Sequence, residues 1–209
     1  MSSYAERTKR PPRTLTDREV KKILDVTGKA KDGFRDHMII SLALGCGLRE
    51  SEIVALDVVP DVSADGLKPK RIIQLRVFKR GGQHEGADPN FQRVHIPDAT
   101  YYKLEKFLRA EWKTKRPSER TSLFTSRQSM RLSTRQVRRM WREWQHRADF
   151  DQLYPFHALR HTAITNVRRA SKDIRIAQKF ARHVNIVSTV RYEHASDEEV
   201  ARAVKDLAA

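Results

Sequence analysis

Cysteine and long apolar runs are scarce in this chain of 209 residues, and acidic side chains are outnumbered by basic ones. Cys46 is the only cysteine, so no disulfide can form within the chain. The most apolar run, residues 38–47, is too short for a membrane helix, which needs about 20 residues. The N-terminal MSSYAERTKRPPR contains no apolar signal core. These absences predict a cytoplasmic protein without membrane contact.

Positive charge is what the sequence has in excess. Lys and Arg number 42 against 26 Asp and Glu, which gives a formal net charge of +16 and a pI of about 10.3. Such an excess attracts polyanions and speeds their encounter with the protein, so nucleic acid is the expected partner. Composition alone leaves open a ribosome-associated protein or a basic protein whose charge only keeps it dissolved. An anionic membrane surface is disfavoured because the basic residues form no amphipathic stripe.

The first half of the chain begins with a polar arm and continues as helices. Residues 1–14 are basic and contain a proline pair, which indicates a flexible arm. Thr16 and Glu19 have the spacing of a capping box at the start of a helix. Residues 34–44 have the apolar density of a buried helix. Helices are therefore predicted from Thr16 to Gly28, over 34–44, and in a short run that ends near Leu56.

A change of periodicity in the middle of the chain indicates strands. Residues 71–78 and 93–97 alternate apolar and polar side chains, which predicts a hairpin joined by a long, glycine-rich loop. The second half returns to helical periodicity, with Ser133 and Gln136 at capping-box spacing. The expected fold is α+β and mostly helical, with a small antiparallel β-sheet. Its later helices are predicted at 98–112, from Ser133 past Trp144, at 157–171, 173–182, around 190–192 and at about 197–208.

Four short patterns carry the chemistry expected of this chain. They are GLRESE at 47–52, the loop beginning at Lys79, HALRH at 157–161, and ARH at 181–183 followed by Tyr192. In that order they resemble the active-site set of the tyrosine recombinases, also called phage integrases. That set contains an arginine, a lysine, a His-x-x-Arg pair, a histidine or tryptophan, and a tyrosine.

Arginine suits the transfer of a phosphodiester, because the nonbridging oxygens must be held and added charge stabilised. A guanidinium is permanently charged and matches two phosphate oxygens in a planar fork. Arg160 lies one helical turn from His157, so the two share a helix face. The resemblance implies that Arg49 and Arg160 clamp one phosphate. Taken singly, Arg49 also fits a surface ion pair with Glu50 or Glu52. Arg160 taken singly fits a contact to the DNA backbone.

The histidines suit proton transfer and phosphate contact, because an imidazole exchanges protons near neutral pH. The resemblance implies that His157 exchanges the tyrosine proton and that His183 bonds a nonbridging oxygen. His157 and His161 also have the i,i+4 spacing of a zinc-binding helix, which His183 and His194 would have to complete. No HExxH motif or cysteine set accompanies the pair, and two arginines beside it would repel a cation. We therefore expect no metal and no other cofactor, and a buried or helix-packing role for His161.

Tyr192 is implied as the nucleophile, because it follows the second histidine at the family spacing. Its attack would form a covalent 3′-phosphotyrosine that conserves the bond energy for rejoining. The other four tyrosines lie in the arm, at a helix start or before a proline. Lys79, at the end of the first predicted strand, is implied as the group that protonates the leaving 5′ oxygen. The sequence departs from the family in its longer hairpin and in having ARH where Leu-Gly-His is usual.

The resemblance covers about residues 15–195 and implies a catalytic domain over 15–209, preceded here only by the arm. It fits short recombinases such as the fimbrial-switch invertases, and it equally fits an excised fragment. The C-terminal helix, about 197–208, is expected to pack on a neighbouring protomer. The implied assembly is a tetramer on paired sites and a monomer free in solution, with room for an accessory DNA-bending protein.

The expected function is cleavage and rejoining of double-stranded DNA at specific sites by a nucleoid-associated enzyme. Two alternatives stay open at this point. A topoisomerase-like enzyme uses similar chemistry to relax DNA, and a noncatalytic DNA-binding protein would keep the fold alone. A suicide substrate separates both enzymes from the binder, and a requirement for paired sites separates recombination from relaxation.

Overall fold

A computed structural model describes residues 12–75, 92–112, 121–190 and 192. The contacts divide it into a first compact unit, Arg13–Ala163, and a second that holds the described residues from Ile164 onward. The elements, in chain order, are α1 Asp17–Lys29, α2 Phe34–Cys46, α3 Glu50–Ala55, β1 Ile72–Leu75, β2 Gln92–His95, α4 Asp98–Trp112, α5 Thr134–Arg147, α6 His157–Ser171, α7 Ile174–Ala181 and α8 Val187–Val190. The predicted α+β, mostly helical fold is confirmed. The predicted extent of one catalytic domain over 15–209 stays a prediction.

Two helices of the first unit begin with the capping boxes that the sequence predicts. At α1 the backbone N–H of Glu19 donates to Thr16 Oγ1 over 3.3 Å, and Thr16 N–H donates to the Glu19 carboxylate over 2.7 Å. Ser133 and Gln136 make the same reciprocal pair at α5, at 3.2 and 2.8 Å. These bonds satisfy amide groups that a helix start leaves without an intrahelical partner.

The sheet is a single antiparallel pair in the described part of the chain. Ile73 of β1 lies opposite Val94 of β2, and both side chains are buried on the same face. Alternation along β1 buries Ile73 and Leu75 and exposes Gln74 between them. The predicted hairpin is therefore confirmed where it is described, and its connecting loop lies outside the described residues.

The core of the first unit forms around α2, which is buried along most of its length. Aromatic rings extend this core: Phe107 of α4 packs on Phe124 with ring centroids 5.4 Å apart, and Trp141 of α5 meets Phe156 edge-on at 6.2 Å. At the end of α2, Gly47 adopts the left-handed conformation, with φ of 60°. That conformation turns the chain abruptly into α3.

The second unit is smaller. Asp173 caps α7 by accepting the N–H of Arg175 over 2.7 Å. Ile164, Ala181 and Tyr192 form a buried cluster with Phe180 packed against it. The sequence predicted a short helix around 190–192, whereas α8 ends at Val190 and Tyr192 lies in a turn. No helix within the described ranges is long and apolar enough to cross a membrane.

Candidate active site

Arg49 is the N-cap residue of α3, directly after the Gly47 turn. The carboxylate of Glu52 accepts the backbone N–H of Arg49 over 2.7 Å and its Nη1 over 2.6 Å. The ion pair with Glu52 that the sequence left open is thus present. Among the described residues, Glu52 is the only group bonded to this guanidinium, and it engages Nη1 alone. The Arg49 side chain remains partly exposed, at 37%.

Arg160 lies in the first turn of α6 and is only 1% exposed. Its Nη1 donates to the carbonyl oxygen of Gly47, a residue 113 positions away in the sequence. Burying a charge carries a large desolvation penalty unless it is paired. The bond places Arg160 against the turn that carries Arg49.

His157 is the first residue of α6 and lies at the surface. Desolvation by the surrounding protein, followed by the positive charges of Arg160 and Arg49, lowers its pKa below the usual 6.5. The carboxylates of Glu50 and Glu52 act in the opposite direction. The balance favours the neutral imidazole at pH 7, which is the form that accepts a proton.

His161 packs its ring against His157, with centroids 4.5 Å apart and the planes nearly perpendicular at 88°. It is half-buried, as a packing role requires. Within the described residues no group of three or more His, Cys, Asp or Glu side chains is arranged to hold a metal. His194, which a zinc site would need, lies outside those residues.

His183 and Tyr192 come together in the second unit. Their rings lie nearly parallel, at 27°, with centroids 6.3 Å apart. Thr189 connects them: its Oγ1 lies 3.0 Å from His183 Nδ1, and its carbonyl accepts the Tyr192 N–H over 2.9 Å. Gln178 holds the histidine backbone through two bonds, at 3.1 and 3.2 Å.

Arg182 occupies the position where the family usually has glycine. It adopts the left-handed conformation, with φ of 55° and ψ of 41°, and ends α7 by donating its N–H to carbonyls of the last turn. The arginine therefore performs the helix-ending role of the missing glycine. Its β-carbon makes that conformation less favourable than it is for glycine.

Lys79 lies outside the described residues, as do the arm through residue 11 and the C-terminal helix at about 197–208. The roles predicted for them stay predictions.

The sequence analysis did not identify the row of exposed arginines on α5 or the salt bridge that links α5 to α3. Arg135, Arg138 and Arg142 are exposed at spacing i, i+3 and i+7, so they line one side of the helix. Arg138 also forms a salt bridge with Glu50, the residue beside Arg49. The arginine spacing was visible in the sequence, but the salt bridge between residues 88 positions apart was not.

Residues 13–199 match the sequence profile of the phage integrase family. The chain belongs to this family. Among its relatives, tyrosine recombinase XerC of Vibrio parahaemolyticus serotype O3:K6 is 30% identical over 200 residues, a match that covers 95% of this chain and 60% of XerC. This integrase family member therefore spans about 60% of the length of that curated relative.

Solved structures agree with the fold. The crystal structure of XerA recombinase superposes with a TM-score of 0.72 at 24% identity, covering 93% of this chain and 65% of XerA. The catalytic domain of bacteriophage HP1 integrase gives a TM-score of 0.59 at 18% identity, covering 93% of this chain and 95% of that domain. The predicted family and the recombinase catalytic fold are thereby confirmed.

Proposed function

We propose that this chain is the catalytic part of a site-specific recombinase that cuts and rejoins double-stranded DNA through a 3′-phosphotyrosine. The observation that carries the proposal is the bond from Arg160 to the carbonyl of Gly47, two residues before Arg49, beside a histidine whose pKa is lowered. Two guanidinium groups can bind the nonbridging oxygens of one phosphate and stabilise the charge added in the transition state.

The proposed reaction is a transesterification. Tyr192 Oη attacks the phosphorus and its proton passes to the neutral His157, while the bond from phosphorus to the 5′ oxygen breaks. Lys79 gives that oxygen a proton, and His183 donates a hydrogen bond to a nonbridging oxygen. Rejoining reverses these steps when a 5′ hydroxyl attacks the phosphotyrosine. The arginines supply the positive charge that a two-metal nuclease takes from cations, so we expect cleavage to persist in EDTA.

Double-stranded DNA is the proposed partner. The net charge of +16 and the exposed arginines of α5 supply the electrostatic attraction. We expect binding to fall steeply with salt, because each phosphate contact releases counterions. Assembly as a tetramer on paired sites, packing of the C-terminal helix on a neighbour, and an accessory DNA-bending protein belong to this proposal as expectations.

The test is a nicked suicide substrate that traps the covalent intermediate. The parent protein should form a protein–DNA adduct, and Tyr192→Phe should bind the same DNA yet form none, because only the attacking hydroxyl is lost. Tyr102→Phe is the matched control, since Tyr102 is an exposed tyrosine on α4 and should leave the adduct unchanged. An adduct that persists in Tyr192→Phe would assign the nucleophile elsewhere. Turnover on single sites, without pairing, would indicate DNA relaxation.

A further inference from the structure

The helix that carries Arg49 is too short to hold its own orientation. α3 has six residues, and Ile53 is its one buried side chain. Isolated helices shorter than about 12 residues are marginal in water. Contacts from outside the helix must therefore determine where its N-terminus, and with it Arg49, is directed.

The first such contact lies at the N-terminal end of α3. Glu50, the first helical residue, accepts two hydrogen bonds from Arg138 Nε, at 2.9 and 3.0 Å, and a third from Arg138 Nη2. The planar guanidinium thus faces both carboxylate oxygens, a geometry that restricts rotation as well as distance. Arg138 projects from α5, a helix anchored in the core by Trp141 and Trp144.

The second contact lies at the C-terminal end of α3. Arg131 Nη1 donates to the carbonyls of Val54, at 2.9 Å, and Leu56, at 3.3 Å. Its Nη2 pairs with the buried carboxylate of Asp57. Arg131 precedes α5 in the chain, so the two ends of α3 are held by arginines seven positions apart.

We propose that Arg131 and Arg138, which we call the α3 bracket, are positioning residues that direct Arg49 toward the scissile phosphate. The inference rests on the proposed function, because it assigns the bracket to the phosphate site. Neither arginine needs to touch the phosphate; each acts through α3.

Arg138 is also the partner of a carboxylate that acts on His157, since Glu50 raises the pKa of this histidine. The charged groups that face this histidine are Arg160, Arg49, Glu50 and Glu52, and the half-buried His161 packs on its ring. Arg138 pairs with Glu50, so removing it leaves an uncompensated carboxylate in this set. That carboxylate stabilises the imidazolium and raises the pKa of His157. The acid side of the cleavage profile should then move to higher pH.

The chain offers a matched pair of variants for the test. Arg138 and Arg139 are neighbours on α5, with side chains 63% and 76% exposed. Arg139 pairs with Glu143 of its own helix over 3.6 Å and does not reach α3 in the described structure. Arg138→Ala and Arg139→Ala therefore remove the same charge from the same surface, and only the first releases α3. Arg131→Ala is less useful because it takes a charged partner from the buried Asp57 carboxylate and so endangers folding.

The measurement is adduct formation in a single turnover at saturating protein, across pH, with DNA affinity recorded separately. Arg138→Ala should lower the saturated rate about tenfold, since misplacing a catalytic group by about 1 Å can cost up to roughly 100-fold. Arg139→Ala should weaken affinity only. Glu50→Gln added to Arg138→Ala should return the pH profile toward that of the parent. Equal saturated rates and equal profiles for Arg138→Ala and Arg139→Ala would overturn the inference.

Two measurements without DNA separate this inference from the proposed function. In Arg138→Ala, NMR titration should show a raised pKa for His157, and the amides of α3 should exchange at least about tenfold faster as local opening becomes easier. If the parent protein forms no adduct, the proposed function is wrong. These two measurements then test by themselves whether the α3 bracket positions α3. Unchanged values in Arg138→Ala would then overturn it.

Discussion

The two compact units of this chain differ in how they support the residues proposed for catalysis. Arg49, His157 and Arg160 belong to the first unit, whose core extends from α1 through the start of α6. His183 and Tyr192 belong to the second, where the buried cluster contains only Ile164, Ala181 and Tyr192 among the described residues. The second unit also exposes several apolar side chains: Ile176, Val184, Ile186, Val187 and Val190.

This difference has a physical consequence. Segments with few buried apolar contacts open locally at a lower free energy than a continuous core does. Val184, next to His183, is 99% exposed, whereas Leu48, next to Arg49, is fully buried. We therefore expect the described segment around His183 to open locally at a lower free energy than the segment around Arg49. The following predictions test that contrast, beginning with the largest expected effect.

Arg160→Ala should reduce the rate of adduct formation about 100- to 1,000-fold, as loss of a transition-state charge donor typically does. Tyr192 would remain in place, so the defect should lie in the rate at saturating protein more than in affinity. Arg160→Lys is the control, because it keeps the charge but loses the planar fork, and it should recover part of the rate. A rate within a few-fold of the parent, in a folded Arg160→Ala protein, would contradict the proposed role.

Replacing one buried isoleucine in each unit by alanine should show that the two units contribute differently to stability. Ile40 and Ile164 are both fully buried, the first in the large core and the second in the small cluster. Ile40→Ala should lower the free energy of global unfolding by about 3 kcal/mol, and Ile164→Ala by less, since its surroundings can collapse more readily. Hydrogen exchange of the α7 amides should show the opposite order, because Ile164→Ala should accelerate it more than Ile40→Ala does. Equal losses of global stability in the two variants, with no change in the hydrogen exchange of α7, would contradict the expected difference between the units.

Acid should destabilise the first unit through His37. Burial, followed by the charge of Lys103, lowers the pKa of His37 from 6.5 to about 4. The unfolded chain therefore binds a proton before the folded one does, and stability falls as the pH drops from about 6.5 to about 4. The full shift corresponds to roughly 3 kcal/mol, and screening at this half-buried ring reduces the expected loss to about 1–2 kcal/mol.

Urea denaturation at pH 7 and pH 4.5 measures this loss. The His37 ring lies 2.9 Å from Thr27 Oγ1, a hydroxyl that already donates to the Ile23 carbonyl, so Nδ1 is assigned as the donor. His37→Asn preserves a donor but cannot titrate, and it should flatten the pH dependence. An equally steep acid loss in His37→Asn would place the responsible group elsewhere.

The smallest expected effect concerns Arg182. Arg182→Gly should stabilise the end of α7 by about 0.5–1 kcal/mol, because glycine adopts the left-handed conformation without a β-carbon penalty. Lys172→Gly is the control, since Lys172 also has a positive φ, 54°, at the end of α6. Both variants should be stabilised in thermal melts, and only Arg182→Gly should alter hydrogen exchange around His183. A destabilised Arg182→Gly would show that contacts of the arginine side chain outweigh backbone strain.

Much of the fold followed from local physics. The capping boxes at Thr16 and Ser133, the buried α2 and the alternation of β1 each depend on residues close together in the chain. Their side-chain chemistry and periodicity therefore sufficed to predict them. The position of α8 was predicted a few residues too late, because short helices carry little periodic signal.

The candidate site was predictable only in part. Family resemblance named Arg49, His157, Arg160, His183 and Tyr192, and the spacing of His157 and Arg160 on one helix face was evident from the sequence. The partners of these side chains were not. Arg49 had two carboxylates within reach along the chain, and nothing in the local pattern chose Glu52 over Glu50.

Composition, periodicity and motif order were enough to indicate a basic, mostly helical phage integrase with its reactive residues in sequence order. Tertiary structure alone decided that Arg160 is buried against the Gly47 carbonyl and that Glu50 is bound by Arg138 of another helix. It also revealed the left-handed Arg182 at the end of α7. Local patterns arise from interactions within one or two helical turns, whereas these partners lie up to 113 positions apart and meet only when helices pack.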